Sequence, residues 1–345
     1  MWTSRILFLL LFFLWGILSF WSYHNLLELE GQVGFYYTDE TMTREELEDF
    51  WENASEKEKK EIQDIVLYRI EEKRMLSNCD LNRTVEALLI ETAGNMQLAA
   101  GDCLLQGNFV AASDRKGCVL SKETAYQLFG TVKPIGETIW ILQTEEEQIH
   151  KVPYEVRGVL NRKDSLCMIQ SNRDSYPYIR AKAKGVPLSL VKQRLAGLLP
   201  GETSWYGESD FYIGIGRIML SLPLWLLLYQ FIRFVRQHIR TMGVSVWREV
   251  WKCSLVIGGI VLAFGIVKMG VRFSDDYIPT AWSDFEFWGE LFRQKIEMMR
   301  ILVKKEWHWE DMDMFRNLGW CMLCSMAGST LFLSLEKNKN KSLES

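Results

Sequence analysis

The chain has 345 residues, is 48% hydrophobic and 24% charged, and carries a net charge of −4 at pH 7. Seven Pro and 24 Gly exclude collagen-like and low-complexity chains, and the acidic balance excludes a charge-driven nucleic-acid binder, so no nucleic-acid partner is expected. A mean hydropathy of −0.05 describes an ordinary soluble protein only if apolar residues are evenly spread, and here they are not.

Residues 6–23 hold no charge and are mostly Leu, Phe, Ile and Trp. Three further stretches match: 211–232, interrupted only by Arg217; 253–271, interrupted only by Lys268; and 317–335, with no charge at all. A bilayer core is crossed by about 20 apolar residues, with a range of about 17–25. Both interrupting side chains lie near a segment end, where long basic stems reach the headgroups. The sequence therefore predicts four transmembrane helices. The first follows a single basic residue, Arg5, and its exit through Phe20, Trp21 and Tyr23 lacks the small residues of a cleavage site, so a retained anchor is expected rather than a signal peptide.

Charge sorts along the same division. Residues 24–210 carry 22 basic and 31 acidic side chains, and 272–316 carry 7 and 10. The short segment 233–252 is net +4 and the tail 336–345 net +1. Basic loops stay on the cytoplasmic side. This predicts a multi-pass protein of the plasma membrane with 1–23 as cytoplasmic N-terminus and first span, and an extracytoplasmic domain at 24–210. Spans at 211–232, 253–271 and 317–335 follow, separated by a cytoplasmic basic loop at 233–252 and an extracytoplasmic segment at 272–316, with a cytoplasmic tail at 336–345.

Within the external domain, residues 31–38 read as a strand closing on turn residues. Thr43 and Glu46 form a capping box that opens a charged helix. Ile62, Ile65, Val66, Arg69 and Ile70, spaced 3, 1, 3 and 1, predict one apolar helical stripe. Residues 84–92 read as a buried strand, 118–121 as a short strand, and 122–130 as a helix stopped by Gly130. Strands at 137–142, 154–160 and 176–183 follow, then a helix at 186–199 between Pro187 and Pro200. The fold class expected is a membrane protein of four transmembrane α-helices with a large α+β extracytoplasmic domain inserted between the first two.

The stretch GCVLSKETAYQLFGTVKPIGETIWI, followed by YEVRGVL, resembles the extracytoplasmic core domain of bacterial MacB/FtsX-type ABC-transporter permeases. The matching residues are Ala125, Leu128, Phe129 and Gly130, then Pro134, Ile135 and Gly136, then Val156, Gly158 and Val159. The upstream GNMQLAAGDCLLQGNFV is similar to the family's preceding segment, but its glycine-led element reads Gly107, Asn108, Phe109 and lacks the family's basic residue. The resemblance covers about residues 80–160, and it implies structural roles: Gly130 and Gly136 make turns, while Phe129 and Ile135 fill core.

No phosphate-binding G-x-x-x-x-G-K-[ST] occurs, so an ATPase would have to be a separate chain. Four external cysteines, Cys79, Cys103, Cys118 and Cys167, allow one or two disulfides or four free thiols. Cys321 and Cys324 have redox-motif spacing but sit in an apolar span, where thiols pack as small residues. His24, His150, His238 and His308 are scattered, and no metal, cofactor or catalytic cluster is expected. The sequons at Asn53 and Asn82 read as chance matches. Within 233–252, Val235, Ile239 and Met242 share one face, and Val246, Trp247, Val250 and Trp251 a second, flanked by Arg248 and Lys252. Two readings stay open for it: a helix on anionic lipid, or a coupling element for a nucleotide-binding subunit. In 272–316, Ser283 and Glu286 form a capping box, and Phe287, Trp288, Leu291, Phe292, Lys295, Ile296, Met299 and Leu302 make an interfacial stripe with Trp282, Trp307 and Trp309 at its ends. Small residues four apart, Ser254 and Gly258, Gly259 and Ala263, and Cys321, Ser325 and Ser329, predict close helix packing within one chain or between two.

The resemblance implies a non-catalytic permease subunit, a homodimer or a heterodimer with a related permease in a lipid membrane. ATP hydrolysis by a partner chain would drive movement of external domains that act on a peptide, lipoprotein or envelope partner. The coupling contacts expected are Arg236, Arg240, Met242, Val246 and Trp247. The alternative is a membrane-anchored sensor or scaffold that has the external domain and no transport activity.

Overall fold

Leu, Phe, Ile and Trp dominate the first helix, α1 (Trp2–Leu27), which contains one Gly and no Pro. In apolar surroundings a helix is the one local way to satisfy every backbone donor and acceptor. The structure, a computed structural model, describes residues 2–27, 29–37, 42–101, 104–145, 148–172, 175–196, 205–241, 246–270, 285–304 and 309–344. It divides into two units, Gly31–Glu208 and the combination of Met1–Glu30 with Ser209–Ser345.

The Gly31–Glu208 unit begins with β1 (Gln32–Tyr36), whose Val33 and Phe35 are buried. Two short helices follow, α2 (Arg44–Asn53) and α3 (Glu56–Glu61). Each starts from a complete capping box, Thr43 with Glu46 and Ser55 with Glu58; two orphan donors are satisfied reciprocally at each start. Glu61 ends the helical stretch, and the next 17 residues form β2 (Ile62–Asn78).

The helical stripe expected from Ile62 to Ile70 is thus a strand. Ile62 pairs with Ala183 and Asp64 with Lys182, so Gln63 is the extra residue of a β-bulge. A regular strand repeats every two residues. The bulge makes the interval from Ile62 to Ile65 three, and both enter the same core. The bulge accounts for the interval of three, and burial of both strand faces from Ile65 to Tyr68 places the adjacent apolar pair Ile65 and Val66 on opposite sides of the sheet, so the helix-like spacing belongs to a bulged, two-sided strand.

The unit continues through β3 (Arg83–Gly94), α4 (Met96–Ala100), β4 (Leu104–Gly107), β5 (Gly117–Ser121), α5 (Lys122–Phe129), β6 (Thr138–Glu145), β7 (Gln148–Leu160), β8 (Leu166–Gln170), β9 (Tyr178–Ala183), α6 (Leu188–Ala196) and β10 (Trp205–Glu208). The ten strands form one sheet in the order β10-β1-β9-β2-β3-β8-β5-β7-β4, with β6 pairing β2 and β7. The β3–β8 and β5–β7 pairs are parallel and the rest antiparallel. This is the α+β class expected. One core gathers Val33, Phe35, Leu47, Ile65, Tyr176 and Leu188. A second gathers Leu89, Leu120, Leu128, Ile139, Val156 and Ile169. Between β1, β9 and β2 a row of tyrosines stacks: Tyr178 lies 4.9 Å from Tyr36 and 5.1 Å from Tyr68 by ring centroid. Such cross-strand aromatic pairs stiffen a sheet.

The other unit adds α7 (Ser209–Thr241), α8 (Val246–Gly270), α9 (Phe285–Lys304) and α10 (Trp309–Glu344) to α1. Among the described residues three helices are long and apolar enough to cross a membrane, at Leu10–Leu27, Ser209–Gln237 and Glu249–Lys268. The fourth charge-free stretch, 317–335, is the middle of α10. Val256, Ile260, Val261 and Phe264 of α8 are all more than half exposed, a surface suited to lipid rather than water.

Inside this unit Leu26, Ile213 and Cys321 form a small core. The Trp15 Nε1–H donates to the Cys324 carbonyl at 2.8 Å, and Ser22 Oγ lies 3.6 Å from Cys324 Sγ. The inward seam of α10 runs through Cys321, Cys324, Ser325 and Gly328. The spacing of four expected through Ser329 is therefore a mixed three-and-four seam, the repeat of side-by-side helices. On α8, a Cβ added to Gly259 would lie 3.7 Å from the Phe231 ring, ordinary contact, while Ser254 and Gly258 are exposed.

Candidate functional site

Among the described residues of the α+β unit lies a cavity of about 620 Å³. Four separate chain segments wall it: α2 with Arg44, Leu47, Glu48 and Trp51, the start of β2, the β3–α4 junction, and residues 109–112. The bulge shapes it. Successive side chains alternate across a regular strand, yet both Gln63 and Asp64 line this cavity. Gly94, with φ +105, lets the β3 end approach β2; a Cβ there would sit 2.6 Å from the Ile65 carbonyl oxygen.

The walls are tied together by hydrogen bonds. Arg44 Nε donates to Glu48 Oε1 at 2.6 Å, and its Nη2 donates to the Ala112 carbonyl at 3.1 Å. Gln170, 2% exposed, donates from Nε2 to the Gly94 carbonyl at 2.9 Å and the Val110 carbonyl at 3.3 Å. Nearby, Arg115 donates to the Ser171 carbonyl at 2.9 Å. Burial, and then the neighbouring Arg44 guanidinium, push Arg115 below the usual arginine value. Asp64 differs from all of these. It stands cross-strand from Lys182 without an ion pair, and no hydrogen bond engages its carboxylate among the described residues.

None of these cavity residues stands out in the sequence. The Ile62–Ile65 interval is the one local signal, because a spacing of three inside a β-branched run marks a bulge, and bulges occur beside functional sites.

The motif residues form a structural frame next to this region. Ser121 caps α5, and Gly130 ends it in the left-handed conformation with its N–H on the Tyr126 carbonyl at 2.7 Å. Ala125, Leu128, Val156 and Val159 are fully buried, and Phe129 packs against the same core. Gly136, at φ +86, donates to the Val156 carbonyl at 2.9 Å. Ile135 departs from the expectation that it fills core, being 39% exposed. Pro134 takes the buried position beside it, and the Ile135 side chain lies over Gly107 instead. Gly158 is the cross-strand partner of Gly107.

The coupling candidates fall at the ends of two helices. α7 runs past its apolar portion to Thr241, and α8 begins at Val246. Arg236 is exposed on α7 and Arg240 lies in its last turn, while Val246 and Trp247 open α8. Met242 lies outside the described residues. Val235 is buried, Val250 and Trp251 are about half exposed, and Lys252 pairs with Glu249 at 2.7 Å. On α9, Lys295 is buried with its ammonium 5.5 Å from the Phe211 ring centroid, whereas Trp288, Phe292, Met299 and Val303 are exposed. The expected stripe is therefore wider than one face. Trp282, Ser283, Trp307 and His308 lie outside the described residues, as does Cys103. Cys79, Cys118 and Cys167 are free thiols. Among the described residues no group of three or more His, Cys, Asp or Glu could hold a metal ion.

No protein-family model matches the chain, and no curated protein sequence matches it. Its structural neighbours are external domains of ABC-type transporters. It is similar to the periplasmic region of MacB from Actinobacillus actinomycetemcomitans, with 14% identity over 53% of this chain and 91% of that one and a TM-score of 0.41. It is also similar to the extracellular domain of the noncanonic ABC-type transporter YknZ from Gram-positive bacteria, with 16% identity, 47% and 86% coverage and a TM-score of 0.34.

Proposed function

We propose that the chain is the membrane subunit of an ABC-type export or mechanotransmission system, driven by an ATPase on a separate polypeptide. The observation that carries this reading is the helical hairpin made by the end of α7 and the start of α8. Its segment 233–252 is net +4, and Val250 and Trp251 are left exposed beside the charges. A basic rim around exposed apolar residues is the composition of a docking surface. The sequence motif at 117–160 and the alternation of acidic and basic segments point the same way.

In this reading the chain spans a bacterial plasma membrane four times, with 317–335 as the last span and both termini cytoplasmic. The α+β unit is the extracytoplasmic domain between the first two spans, and α9 lies in the outer lipid interface with Trp288 and Phe292 toward the acyl chains. Two copies, or one copy and a related permease, close on each other when the ATPase binds ATP. Arg236, Arg240, Met242, Val246 and Trp247 contact the ATPase, and the external domains relay the movement to a peptide, lipoprotein or envelope partner.

Copurification from native membranes tests it. An ATPase should come down with the chain, and Trp247→Ala should weaken that association. Absence of an ATPase, together with a neutral Trp247→Ala phenotype, would leave a membrane-anchored sensor or scaffold. The topology has its own check: single cysteines at Glu290, near Trp288, and at Glu146 should be labelled from outside intact cells, and labelling of a cysteine at Arg240 sinks the four-span path.

A further inference from the structure

The α+β cavity has a chemical bias that the coupling reading does not use. Its volume of about 620 Å³ falls within the range of roughly 300–1,000 Å³ for ligand sites. Leu47, Trp51, Ile65, Met96, Phe109 and Val110 make its lining largely apolar. Of the charged side chains in the lining, Arg44 and Glu48 neutralise each other at 2.6 Å. That leaves Asp64, whose carboxylate has neither ion pair nor hydrogen bond among the described residues. The bulge at Gln63 turns it into the lining.

Arg44 gives Nε to Glu48 and Nη2 to the Ala112 carbonyl and keeps one buried donor, Nη1, without a partner among the described residues, but its charge is offset by Glu48. Arg115 donates to the Ser171 carbonyl, so the charge left over in the lining is that of Asp64. The surrounding sequence, 24–210, is net −9 and attracts cations. Trp51 and Phe109 offer ring surface on which a cation gains further.

We propose that this cavity binds a peptide segment presenting one Lys or Arg side chain flanked by apolar or aromatic residues, the cation meeting Asp64 and the apolar neighbours packing on Trp51 and Phe109. The site lies wholly within the α+β unit, so it stands whether or not an ATPase partners the chain.

The test uses the full chain in zwitterionic phosphatidylcholine nanodiscs, with empty nanodiscs as the control for peptide partitioning. Three probes are titrated calorimetrically: acetyl-Phe-Lys-Phe-amide, its norleucine counterpart and its glutamate counterpart. A charge-assisted contact contributes about 1.5–3 kcal/mol, so the Lys peptide should bind at least about tenfold tighter than the norleucine peptide. Asp64→Asn should reduce the Lys peptide to the norleucine level and leave the norleucine peptide unchanged. Trp51→Ala should weaken both. Lys182→Met, which removes the cross-strand ammonium, should tighten the Lys peptide and serves as an independent variant if Asp64→Asn folds poorly. Equal binding of the Lys and norleucine peptides, tighter binding of the glutamate peptide, indifference to both the Asp64 and Lys182 changes, or no binding at all overturns the assignment.

Discussion

Gly107 and Gly158 face each other across the β4–β7 pair, and neither backbone leaves room for a Cβ. At Gly158 the added carbon would lie 2.5 Å from the Asn108 carbonyl oxygen. At Gly107 it would collide with the Arg157 carbonyl, and φ is +78. Gly136 also has positive φ, +86, but open space around a Cβ. The three positions separate two physical effects. Gly136→Ala should cost only backbone strain, about 1 kcal/mol. Gly158→Ala should cost about 2 kcal/mol from the steric clash, and Gly107→Ala should cost more than either because both effects act. Calorimetric melting should rank stability as parent, Gly136→Ala, Gly158→Ala, Gly107→Ala. A Gly158→Ala protein as stable as its parent would mean that β4 has slack against β7.

Cys118 and Cys167 occupy neighbouring strands, but Cys118 is opposite Ile169 and Cys167 opposite Leu120, which makes the pair diagonal. Diagonal neighbours are about 7–8 Å apart, beyond the Cα separation of about 7 Å that a disulfide spans. The two should therefore remain thiols in an oxidising compartment. Burial, reinforced by the hydrogen bond with Cys167, pushes the Cys118 thiol well above its ordinary value. The thiolate is the nucleophile, so iodoacetamide should modify exposed Cys79 and spare Cys118 and Cys167 until the chain is denatured. Peptide mapping by mass spectrometry reads this directly. The raised value also has a sign for stability: its contribution is full below the unfolded thiol pKa of about 8.5 and fades as pH rises through the folded value.

What is legible in the sequence is local. The Thr43–Glu46 capping box and the α5 segment between Ser121 and Gly130 depend on residues three to nine apart, and the structure has them as read. The parallel pairings of β3 with β8 and β5 with β7 join segments far apart in sequence, and no periodicity announces them. β2 reads as a helix because one inserted residue, Gln63, changes its period and both of its faces are buried from Ile65 to Tyr68. The cavity is the least legible feature for a related reason, since Trp51, Asp64, Gly94 and Phe109 meet only when four segments assemble.

Asp114 closes a tight loop before β5. Its Oδ1 accepts the Lys116 and Gly117 amides at 3.0 and 3.1 Å, and its Oδ2 accepts Arg157 Nε at 3.1 Å. The Lys116 amide first, and Arg157 after it, hold the carboxyl below the usual aspartate value. A depressed folded pKa contributes stability that is whole above the unfolded value, about 3.9, and is lost as pH falls through the folded one. Asp114→Asn should therefore lower the melting temperature near neutrality and lose less on acidification than the parent. Melting curves between about pH 6 and pH 2 check it. Parallel curves for the two proteins would show that Asp114 is not part of the acid response.

The contact of α1 with α10 rests on Trp15 and Gly328. A Cβ on Gly328 would lie 2.5 Å from Trp15 Nε1, while the Trp15 ring also meets Phe332 edge-on at 5.8 Å. Gly328→Ala should displace the indole and break its hydrogen bond to the Cys324 carbonyl. Trp15→Phe keeps most of the ring bulk and deletes that bond alone, and a hydrogen bond between packed apolar helices contributes about 0.6 kcal/mol on average and at most about 1.7. Gly328→Ala should therefore be the more damaging change in a thermal unfolding assay in detergent. The double variant is the sharper measurement. Both substitutions remove the same indole–carbonyl bond, and the smaller phenyl ring of the Trp15→Phe variant relieves the crowding at position 328, so the combined loss should fall short of the sum of the single losses. Strict additivity would mean that Trp15 and Gly328 are not in contact, and the seam through Cys321, Cys324 and Gly328 would have to face something other than α1.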